Sequence, residues 1–85
     1  MQIKLSAPEL RKIFGLTNRE ISAALGKPLS TIEQHMAARE SARHRNMPDS
    51  DKMLLILRYK IIEMGYNPDK LIDDFLSEHN KSDGA

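Results

Sequence analysis

Ser30, Thr31, Glu33, Gln34 and His35 fall within six consecutive positions, so hydroxyl, carboxylate, amide and imidazole groups crowd onto a turn or two of helix. Such a set can hydrogen-bond to another polar surface. It is poorly suited to catalysis or to holding a metal. The chain has no cysteine, and His35, His44 and His79 lack carboxylate partners at the spacing of a zinc site. Asp73 and Asp74 are adjacent, so on a helix they diverge by about 100° and form no carboxylate dyad. The stretch GKPLST, residues 26–31, is not a phosphate-cradling loop, which needs more glycine and a lysine directly before Ser or Thr. No enzymatic activity is expected, and no metal, cofactor or small-molecule ligand.

The elements that must position this polar set all read as helix. Ser6 to Glu9 has the Ser-x-x-Glu pattern of a capping box, in which the Ser oxygen and the Glu side chain satisfy backbone N–H groups left over at a helix start. Leu10, Ile13 and Phe14 supply the apolar stripe that follows, and Gly15 closes it. Thr17 to Glu20 repeats the box, Ile21, Ala24 and Leu25 form the next stripe, and Gly26 follows as a left-handed cap. A third helix is expected from around Pro28, which is preorganised for a first turn, through Leu29, Ile32 and Met36 to an end between Ala42 and Asn46. The connector NMPDSD then offers Asp49 or Ser50 as the next cap. A long apolar helix is expected over about residues 51–64, stopped by Gly65. The last helix opens with Asn67 as cap and Pro68 at its first turn, and carries Leu71, Ile72, Phe75 and Leu76. The polar end, residues 81–85, is expected to be a flexible tail. The fold class is therefore all-α, a compact bundle of about five helices, with residues 1–47 and 48–80 as two functional regions.

Eighty-five residues make one small domain with a thin core, and association with a second copy is a natural supplement. The segment MQIKLSAPEL lacks the basic stretch and long apolar run of a secretory signal. No apolar run approaches the ~20 residues of a membrane span. A cytoplasmic protein with no membrane partner is expected. Charge divides unevenly: residues 1–48 carry eight Lys/Arg against four Asp/Glu, a net +4, and the remainder carries five against eight, a net −3. A basic half joined to an acidic half suits a chain of which one end meets a polyanion.

A short capped helix, a glycine-containing turn and a second helix make a helix-turn-helix, whose second helix enters the major groove of DNA. Projected as a helix, the third segment turns Leu29, Ile32 and Met36 inward and Ser30, Gln34, Ala37 and Ser41 outward, with Ala38 and Arg45 beside them. A small polar face lets a helix lie close against base edges; the other reading is a solvated face of an ordinary bundle.

The stretch NREISAALGKPLSTIEQHM, residues 18–36, resembles the DNA-binding segment of the LuxR/FixJ family in Asn18, Arg19, Glu20 and Ile21, in Leu25, and in Thr31, Ile32, Glu33 and His35. It is equally similar to the Trp repressor motif through Leu25-Gly26 and Leu29-Ser30-Thr31-Ile32. The resemblance covers about 20 residues and implies a DNA-binding helix-turn-helix. The chain departs from the LuxR pattern at Lys27, where an apolar residue recurs, at Pro28, where Ser or Thr caps the helix, and at Glu33, which replaces a basic residue. A carboxylate there either accepts from a cytosine amino group or points away and pairs with an arginine. No receiver or ligand-binding domain is expected ahead of the motif, and neither phosphorylation nor tryptophan binding is carried over.

Leu29, Ser30, Glu33, Gln34 and Ala37 are thus the base-reading candidates, with Gln34 suited to a bidentate contact with adenine. Thr17, Arg19, Lys27, Thr31, His35, Arg39, Arg43 and Arg45 are the phosphate candidates, which position without reading sequence. In the long fourth helix Leu54, Leu57, Ile61 and Met64 lie on one side and Leu55, Tyr59 and Ile62 on another, so it is apolar over more than the stripe of a surface helix. Leu55, Tyr59, Ile62, Leu71 and Phe75 are the expected dimer interface, unless the last helix covers the fourth within the chain. The expected function is a homodimeric, sequence-specific double-stranded DNA-binding regulator, a repressor of a pseudo-palindromic operator. The alternative is a helical protein-interaction module such as an antitoxin-like partner.

Overall fold

The computed structural model describes residues 2–80 and is all-helical: α1 (Ala7–Phe14), α2 (Asn18–Leu25), α3 (Leu29–Met36), α4 (Asp49–Glu63) and α5 (Pro68–Asn80). The expected tail at 81–85 lies outside the described residues. Among those described, no helix is long and apolar enough to cross a membrane.

Local chemistry sets the first two helices. Ser6 Oγ accepts from the Glu9 N–H at 3.2 Å while Glu9 Oε1 accepts from the Ser6 N–H at 3.0 Å. Thr17 and Glu20 make the same reciprocal pair at 3.1 and 2.9 Å. The Ser6 backbone N–H, then its hydroxyl, holds the Glu9 carboxyl below the usual carboxylate range. Gly26 ends α2 with φ 65°, the left-handed region that glycine enters without steric cost. At α5, Asn67 Oδ1 accepts from the N–H groups of Asp69 and Lys70 at 3.0 and 3.2 Å, which makes it the expected cap.

Each of the first four helices places a residue in one core. Leu10 of α1, Ile21 of α2, Ile32 of α3 and Leu55 of α4 are fully buried, joined by Ala7 and by Met47 from the connector. Burying one such side chain stabilises by about 1.5–3 kcal/mol, so these few residues carry much of the stability of so small a domain. Phe14 and Tyr59 stack beside them with ring centroids 5.5 Å apart.

Four expectations are corrected here. Ile13, expected in the α1 stripe, is 61% exposed, because Ala7 and Leu10 already define the inward face. The third helix ends at Met36 rather than between Ala42 and Asn46, and Ala37 leaves it with extended backbone (φ −64°, ψ 152°). Neither Asp49 nor Ser50 caps α4; Pro48 takes the cap position without a side-chain hydrogen bond, and Asp49 and Asp51 sit in the first turn, where carboxylates suit the helix dipole. Finally, Leu55 is fully buried and Tyr59 is half-buried, both against the core. Of the residues expected at a dimer interface, Leu55 and Tyr59 thus pack on α1–α3, while Ile62, Leu71 and Phe75 are exposed; α4 belongs to the same packed unit as α2 and α3.

Candidate nucleic-acid interface

The α2–α3 corner is closed from several directions. Lys27 N–H donates to Ser22 O at 3.2 Å, and Ser22 Oγ donates back to Lys27 O at 2.5 Å. Pro28 O accepts from the N–H groups of Thr31 and Ile32, which starts α3. Arg11 of α1 donates to Asn18 Oδ1 at 2.8 Å, fixing the start of α2. Asp51 of α4, almost buried, lies 3.7 Å from Lys27 Nζ. Lys27, expected at a phosphate, is thus partly neutralised within the chain.

α3 turns Ser30 and Glu33 to solvent, with Leu29, Thr31 and Gln34 half-buried beside them. Glu33 has no cation within ion-pair distance among the described residues, so the local arginine pair open to it from sequence is not formed. Ala37 is half-buried at the end of the helix, and its carbonyl accepts from His44 Nδ1 at 2.9 Å. It no longer continues the outward face of α3, which is a correction to its expected place among base readers.

The arginine-rich stretch after α3 is a folded loop rather than more helix. Arg45 N–H donates to Gln34 O at 3.1 Å, and His35 Nδ1 lies 2.7 Å from Arg45 O. A carbonyl can only accept, so Nδ1 of His35 carries a proton. His44 adds a second stitch, from Nδ1 to Ala37 O and from Nε2 to the side-chain amide of Asn46 at 2.8 Å. The bonds to Gln34 O and Ala37 O satisfy carbonyls left over at the end of α3, and with the His35 bond they draw the loop back along the helix. His35, expected to touch phosphate, is therefore corrected: the residue is only 6% exposed and its Nδ1–H is committed to the loop.

Arg39, Arg43 and Arg45 are all exposed on this loop. The Arg45 guanidinium donates to Ala42 O and His44 O within the loop. Arg19 and Thr17 are exposed at the start of α2; the Thr17 hydroxyl accepts from the Glu20 N–H and keeps its own hydrogen for a further acceptor. Sequence reasoning missed the roles of His44 and Asp51, which hold the loop and the corner. No spacing signals either, because both act across elements. The arrangement presents a short polar helix face with an arginine-bearing loop bonded to the end of the same helix.

No protein-family model, curated protein or solved structure matches this chain.

Proposed function

We propose that this chain is a sequence-specific double-stranded DNA-binding regulator of the helix-turn-helix type, acting in the cytoplasm as a homodimeric repressor of a pseudo-palindromic operator. α3 is the recognition helix: Ser30, Glu33 and Gln34 read base edges in the major groove. Arg19, Arg39 and Arg43 contact phosphates, with the Arg45 guanidinium available once it releases its loop carbonyls.

One observation carries this reading. The bonds from Arg45 N–H to Gln34 O and from His35 Nδ1 to Arg45 O hold an arginine-bearing loop against the helix that exposes Ser30 and Glu33. An arginine-bearing loop joined to a small polar helix face offers the two components of duplex recognition, phosphate positioning and base readout. A helical interaction module draws support from a different observation, the apolar surface exposed on α4 and α5. Selection of bound sequences from a random duplex pool separates the two. Enrichment of a two-fold-related pair of half-sites one helical turn apart is expected, and recovery of no preferred sequence would contradict the regulator.

A further inference from the structure

Ten of the twelve large apolar side chains left exposed among the described residues lie on α4, on α5 or on the link between them. On α4, Leu54 and Leu57 are each 56% exposed and project away from the buried Leu55. On α5, Leu71, Ile72, Phe75 and Leu76 are all exposed and, at about 100° per residue, share one face. α5 does not cover the outer face of its own α4. Its first turn is held by Arg58, which donates to both carboxylate oxygens of Asp69 at 3.1 and 3.2 Å, and the rest of the helix stands clear. The molecule measures 54 Å along its longest axis and 27 and 25 Å across.

We infer that α5 is an exchanged arm: the apolar face of α5 docks on the Leu54–Leu57 side of α4 in a second copy, and the second copy returns the contact. This rests on the homodimer reading above and specifies how the two chains meet. Charge selects the pairing. The apolar face of α5 is edged by Asp69 and Asp73 on one side and Asp74 and Glu78 on the other, with Lys70, its one Lys or Arg, paired to Asp74 at 3.0 Å. The outer stripe of α4 is edged by Arg58 and by Lys60, the latter in an exposed 2.8 Å pair with Glu63 of the same helix. Pairing α5 with α5 would set acidic edges together, whereas α5 on α4 sets those carboxylates against the side that carries Arg58 and Lys60. The Arg58–Asp69 pair already shows the edge of α4 accepting an α5 carboxylate.

The area agrees. A stable interface needs about 800 Å² from each partner, and the exposed Met53, Leu54 and Leu57 on the outer side of α4 and Met64 at its end, together with the four apolar side chains of α5, supply an area of that order. A two-fold axis satisfies both stripes of both copies at once, as an isologous interface requires. A single copy leaves both uncovered.

The absence of cysteine makes the test direct. Full-length Leu57→Cys and Phe75→Cys chains, both altered at exposed positions, are mixed at micromolar concentration and oxidised, with helix content checked by circular dichroism. A disulfide joining one chain of each kind is expected, in severalfold excess over links between identical chains. Independently, Lys60→Glu and Asp73→Lys chains should each dimerise more weakly alone than when mixed. A dimer in sedimentation that yields only links between identical chains overturns the arm exchange and leaves the homodimer standing. A monomer in sedimentation overturns both, while duplex binding by that monomer is read separately by titration.

Discussion

The Nδ1 atom of His35 lies 2.7 Å from the carbonyl oxygen of Arg45, ten residues further along the chain. That bond joins the buried side of α3 to the loop carrying three exposed arginines, so the core and the basic surface are mechanically linked. His35→Ala leaves the Arg45 carbonyl without its donor, and stability should fall by about 1–3 kcal/mol. Urea unfolding measures it. On the proposed reading, in which the loop positions cations and does not read bases, duplex affinity should fall as well, for every sequence alike.

Specificity and affinity should separate by residue. Gln34→Ala is expected to relax preference at one base position in each half-site, by about 1–3 kcal/mol for a bidentate contact. Arg43→Ala should weaken all duplexes similarly and lower the salt dependence by about one phosphate per chain. Binding to a panel of single-base operator variants checks both.

The division between fold and site explains what was legible in the chain. The capping boxes at Ser6–Glu9 and Thr17–Glu20 and the glycine caps at Gly15 and Gly26 act between residues three to five apart, so they stand out in sequence. The end of α3 does not. Ala37, Ala38, Arg39 and Glu40 are acceptable helix residues, and the chain turns because Met47 is buried and because Arg45 and His44 bond back to Gln34 and Ala37. Those are tertiary interactions without local signature. The inward face of α4 was ambiguous for a different reason: Leu54 and Leu57 on one side are as apolar as Leu55 and Tyr59 on the other. Only packing against Leu10, Ile21 and Ile32 decides between them.

The core assignment is tested by contrast. Leu55→Ala should cost about 2–5 kcal/mol through lost burial and a residual cavity, a large fraction of the total for so small a domain. Ile13→Ala, on the same criterion of exposure, should change stability by no more than about 0.5 kcal/mol. Similar losses at both positions would contradict the inward face of α1.

Acid should loosen two contacts. The Ser6 backbone and hydroxyl hold the Glu9 carboxyl low, and the hydrogen bonds from Arg58 hold Asp69 low. A carboxyl whose folded pKa is depressed contributes stability that is fully present above its unfolded pKa and is lost as pH falls through the lowered folded value. Thermal midpoints should therefore drop as pH falls through and below the ordinary carboxylate range. Glu9→Gln and Asp69→Asn should each lie below the parent near neutral pH and converge on it at the acid end; a gap that persists unchanged into acid would contradict the assignment.

The claim that α3 and its arginine loop form a duplex-binding surface is tested most directly by measuring affinity for double-stranded DNA against salt concentration. A dimer neutralising about 6–8 phosphates should give a plot of log K against log salt with a slope of roughly −5 to −7. A slope near zero, or no duplex binding at low salt, would contradict it.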